Sequence, residues 1–166
     1  MNRRTRINRP HCTMALPNIF TKEVSDQMIG RIDKLTADST RQWGKMDVAR
    51  MLAHCSVSYE MVYEPAKHPK PSPVMGLILK LFVKRVCVSE KPYKKNLPTE
   101  SAFIIKSDRD FETEKARLIA YIKKTQEIGE SEFDGKRSVS FGNLNKSEWN
   151  NMFYKHLDHH LTQFGV

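Results

Sequence analysis

At 166 residues, with 39% hydrophobic and 28% charged side chains, the chain is large enough to bury a core and too apolar to be disordered. Its three cysteines (Cys12, Cys55 and Cys87) are odd in number and unrelated in spacing, which argues against a disulfide scaffold and fits a reducing, cytoplasmic compartment. Four arginines in residues 1–13 account for part of the net charge of +9, leaving +5 for the rest. An excess that modest reads as a solvated surface rather than a nucleic-acid site.

Residues 1–13 (MNRRTRINRPHCT) lack the apolar stretch of a secretory signal and are read as a disordered basic tail, with Met14 as an alternative start. Residues 14–166 are read as a single domain. The first helix is expected from about Lys22 to Leu35, where Val24, Met28, Ile32 and Leu35 share a face. The second is expected from Val48 to Glu64, with Asp47 as N-cap, Pro65 as stop, and an apolar stripe of Met51, Leu52, Cys55, Tyr59 and Val62. Residues 65–109 form a long insert whose apolar run VMGLILKLFV (74–83) predicts a short core or lid helix. That run is far shorter than the roughly 20 residues of a membrane span, and no membrane partner is expected. The third long helix begins near Asp110 and ends at Gly129, with acids in its first turn and lysines near its end. The fourth starts at Asn145 and Glu148, which have capping-box spacing, and runs to Gly165. Four long helices with one long crossover carrying a short extra helix give an all-α four-helix bundle.

The fourth helix holds the best functional lead. At about 100° per residue, Trp149, Phe153, His156, His160 and Phe164 fall within one narrow arc, so both imidazoles face the buried side, one turn apart. His54, on the edge of the second helix's stripe, is the third candidate. Three imidazoles converging from two helices would bind a metal ion. Spacing alone leaves open a pair of core histidines satisfied by hydrogen bonds, because many HxxxH pairs bind nothing. Cys55 is rotated about 100° from His54 toward the apolar stripe and reads as core. Lys155 and Asp158 point away from the pair; His11, His68 and His159 are read as solvent-facing.

Two segments, WGKMDVARMLAHC (43–55) and FGNLNKSEWNNMFYKHLDHHLTQFGV (141–166), resemble the DinB/YfiT-like superfamily, and in particular a bacterial branch whose C-terminus reads KHLDHHLRQFG or similar. NLPT (96–99) is similar to that branch too. The resemblance implies a four-helix bundle carrying one divalent metal ion, often zinc or nickel, on His54, His156 and His160, and often a homodimer. It also implies metal-dependent transferases that use a low-molecular-weight thiol (bacillithiol, mycothiol or glutathione). Relatives commonly read HPxFG ahead of the last helix, whereas this chain has SVSFG (138–142), so the substrate mouth is expected to differ.

The leading expectation is therefore a metal-dependent thiol S-transferase acting on a small molecule, with lysines and arginines of the insert binding the carboxylates of the thiol. A metal-dependent hydrolase on the same triad is the second expectation, for which Glu60 and Glu64 are the nearest candidate bases but not clearly in phase. The third is a non-enzymatic metal-binding helical module. Imidazole triads accept zinc, nickel, copper and iron alike, so the sequence does not choose among them.

Overall fold

The computed structural model describes residues 15–166. The expected basic tail and the alternative start at Met14, with His11 and Cys12, lie outside the described residues.

Four long helices form the bundle: α1 (Lys22–Asp33), α2 (Val48–Tyr63), α5 (Phe111–Ile128) and α6 (Lys146–Gln163). Each begins where a short polar side chain satisfies a free backbone N–H, at Thr21, Asp47, Asp110 and Asn145 respectively. At Asn145 the box is complete: its side chain accepts from Glu148 N at 2.9 Å, and Glu148 accepts from Asn145 N at 3.0 Å. Gly129 stops α5 at φ 82°, in the half of backbone space that side chains disfavour.

α1 packs on α5 and α6, and α2 packs on the same two helices from the other side, closing a ring around one core. α2 is the central element, because every residue from Met51 to Glu60 is buried. An aromatic ladder runs through that core. Phe153 stacks on Tyr59 with ring centres 4.6 Å apart and on Trp149 at 5.4 Å, and meets Phe133 edge-on at 5.8 Å. These contacts fix the rotation of α6 about its own axis, and hence which of its residues face α2.

The insert departs from a core helix. Its helical part runs through α3 (Pro73–Ile78), a π-helical turn (Leu79–Val83) and α4 (Lys84–Val88), and α4 packs on α6. Only Leu79 is buried, whereas Val74, Leu77, Ile78, Leu81 and Phe82 are exposed. The lid half of the expectation fits better, since Val83, Val86 and Cys87 line a cavity beneath. Lys155 of α6 anchors the segment: buried, it donates from Nζ to the carbonyls of Val86 (2.7 Å) and Ser89 (2.5 Å). A further element not anticipated is a two-stranded antiparallel hairpin, β1 (Arg137–Ser138) with β2 (Gly142–Asn143), just before α6. No helix among the described residues is long and apolar enough to cross a membrane.

Candidate metal centre

His54 comes from the middle of α2, and His156 and His160 from successive turns of α6. The structure brings the three rings together as a nearly equilateral triangle, with ring centres 4.9 Å (54–156), 4.6 Å (54–160) and 4.9 Å (156–160) apart. One nitrogen from each lies within 4.8 Å of the others. His54 and His160 are buried, and His156 keeps part of its surface open to the cavity.

Hydrogen bonds outside the triangle decide which nitrogen each ring offers. The carbonyl of Phe103 lies 2.8 Å from His54 Nδ1. A carbonyl only accepts, so Nδ1 carries the proton and Nε2 is a bare lone pair. Gln163 does the same for His160. Its amide nitrogen donates to the Trp43 carbonyl at 2.7 Å, which orients its Oε1 to accept from His160 Nδ1 at 2.8 Å. His160 Nε2 is then bare as well. Gly44 makes this contact feasible: a Cβ there would lie 2.4 Å from Gln163 Nε2.

His156 Nε2 lies 2.9 Å from the unprotonated His54 Nε2. Two lone pairs at that separation repel unless His156 lends a proton or a cation lies between the rings. All three imidazoles are held neutral. Burial lowers the pKa of each: His156 falls well below the ordinary imidazole value, and His160 is pushed down to about 3, with His54 and His159 adding to the effect at both. Neutral imidazole is the form that ligates metal. The donor set therefore fits a divalent ion: three neutral nitrogens, two with the partnered second nitrogen typical of metal-bound histidine.

The triangle forms part of the wall of a cavity of about 920 Å³, at the upper end of the roughly 300–1,000 Å³ common for small-molecule sites. Lys45, Lys94 and Lys106 line its exposed parts. Trp43 contributes a buried indole Nε1 that finds no acceptor among the described residues. Ser138, standing where the resemblance places a histidine, also lines the cavity.

Several assignments from the sequence need correction. His159 is not solvent-facing; half-buried, it packs edge-on against Trp43 and Tyr93 and lines the same cavity. His68 is partly buried and pairs with Glu60 at 3.2 Å. Glu60 and Glu64 fail as bases for this site, because they are held by Arg117 and Tyr121 and neither lines the cavity. The carboxyl that does line it is Glu100, whose pKa burial raises above the usual range. It lies in the irregular part of the insert, where no periodicity marks it. Cys55 is core, as its phase indicated.

Residues 19–165 match a family described as protein of unknown function (DUF1569). No curated protein and no solved structure matches the chain.

Proposed function

Because the chain belongs to the DUF1569 family, which falls generally within the DinB/YfiT-like clan, we propose that it is a divalent-metal-dependent enzyme acting on a small molecule. His54, His156 and His160 are its metal ligands, zinc or nickel its ion, and a low-molecular-weight thiol its cosubstrate. The observation that carries the reading is the neutral histidine triangle in the wall of a cavity large enough for two reactants. When bound there, a divalent cation supplies Lewis acidity that makes a thiol or a water ionise near neutral pH.

The chain's own residues supply positioning. Phe103 and Gln163 fix the ring tautomers, so ligand geometry is set before any reactant arrives. Lys45, Lys94 and Lys106 suit the carboxylates of a peptidic thiol. In the transfer, the thiol proton passes to bulk water and sulfur bonds to an electrophilic carbon. The leaving group departs from that carbon with the electron pair.

Glu100 favours a second reading, hydrolysis. A carboxyl whose pKa is raised by burial is suited to take a proton from water and return it to a leaving group. Turnover of an electrophile panel by the metal-loaded protein, with and without thiol, separates the two. S-transfer requires thiol and survives Glu100→Gln; hydrolysis is indifferent to thiol and is lost in that variant. Metal binding without turnover under either condition would leave a non-enzymatic module.

A further inference from the structure

The helical segment of the insert presents an apolar face to solvent that the bundle does not use. Val74, Leu77, Ile78, Leu81 and Phe82 recur at the spacing that lines up one side of a helix. They are 71%, 58%, 43%, 62% and 69% exposed. Of the ten large exposed hydrophobics among the described residues, seven lie between Val74 and Val86. A face so concentrated marks a contact surface.

Charge indicates what the surface meets. Residues 65–99 hold eight lysines and arginines against the single acid Glu90, which is +7 of the chain's +9. The excess is thus concentrated in the insert. Lys84 and Lys67 are paired with Glu148 and Glu64. Lys70, Lys80, Arg85 and Lys91 are exposed and form no ion pair with any described residue. Two copies meeting through this face would bring like charges together. The apolar side chains offered are aliphatic apart from Met75 and Phe82, and lack the tryptophan, tyrosine and buried polar groups that anchor protein interfaces. The helix is too short to span a bilayer but long enough to lie on one.

We propose that the Pro73–Val88 segment docks the protein on an anionic lipid surface, with Leu77, Leu81 and Phe82 entering the acyl boundary and the surrounding lysines and Arg85 facing the headgroups. This departs from the sequence expectation of no membrane partner. Val86 belongs both to the exposed face and to the cavity lining, so docking brings the cavity rim to the lipid. The proposal is independent of the metal centre.

The test is cosedimentation of the full-length protein with vesicles of phosphatidylglycerol and phosphatidylcholine, compared with phosphatidylcholine alone. Binding to the anionic vesicles is expected to be roughly tenfold tighter or more and to weaken as salt rises. Leu81→Ser/Phe82→Ser keeps every cation, including those of residues 1–13, and both positions are exposed, so the fold persists. This variant is expected to lose roughly tenfold or more in binding. A Phe82→Trp reporter is expected to shift its emission to the blue on anionic vesicles. Absence of binding overturns the proposal. So does a double variant that binds as well as the parent, since charge alone would then account for it. A dimer that the double variant converts to monomer, with no vesicle binding, assigns the face to a second copy instead.

Discussion

Gln163 gives the sharpest test of how the centre is built. Its Oε1 orients His160 at 2.8 Å, its Nε2 ties α6 to the Trp43 carbonyl at 2.7 Å, and it is 4% exposed. Gln163→Leu keeps the volume and removes both bonds. The His160 Nδ1–H is then left buried without a partner, at about 1–3 kcal/mol, and the part-buried Trp43 carbonyl loses its donor at a smaller cost, so the metal-free variant should lose roughly 1–4 kcal/mol of stability. Loss of a group that orients a ligand typically costs about 10–100-fold in metal affinity. Gln163→Glu separates the two effects. It retains an acceptor for His160 but sets a carboxylate against the Trp43 carbonyl, so zinc affinity should stay within a few-fold while stability falls. The assay pairs a zinc competition titration against a chromophoric chelator with urea unfolding of the metal-free protein. If Gln163→Leu binds zinc as tightly as the parent, Gln163 is a strut between α6 and the Trp43 loop, and its role at the centre is refuted.

Phe153→Ala removes the middle ring of the Tyr59–Phe153–Trp149 stack and should cost about 3–5 kcal/mol in urea unfolding, with a smaller effect on metal affinity than loss of any triad histidine. The metal-free protein should lose stability in acid. An unfolded histidine takes up a proton near pH 6.5, while folded His160 does so only near pH 3. Between those values the unfolded state binds more protons, so stability falls as pH falls. For His160 alone the loss is roughly 4–5 kcal/mol across that window, and the lowered values of His54 and His156 act in the same direction. Urea midpoints at pH 7, 6 and 5 check this; a flat profile over that range contradicts a buried neutral triad.

The triad was legible because α6 is strongly periodic. The aromatic residues that define its buried face also fix the phase of His156 and His160, and the capping box fixes where counting starts. His54 was harder, since α2 is buried nearly all round and its stripe reads as a face with an edge. The insert is legible only as core or lid, for a physical reason. A run such as VMGLILKLFV is apolar on most of its circumference, so local pattern does not reveal which side meets the protein; one buried leucine and the reach of Lys155 decide it. Glu100, Trp43 and His159 reach the cavity through tertiary placement of irregular backbone or a border position, which no period encodes. The Ser138–Gly142 turn departs from the resembling motif and lines the cavity at Ser138.

The proposed chemistry requires that three imidazoles from two helices share one cation. Elemental analysis of freshly purified, chelator-free protein tests it most directly. Close to one divalent transition-metal ion per chain is expected, and none in His156→Ala/His160→Ala protein whose helicity by circular dichroism matches the parent. A folded parent that carries no metal as isolated, and takes up none from added zinc or nickel, would contradict it.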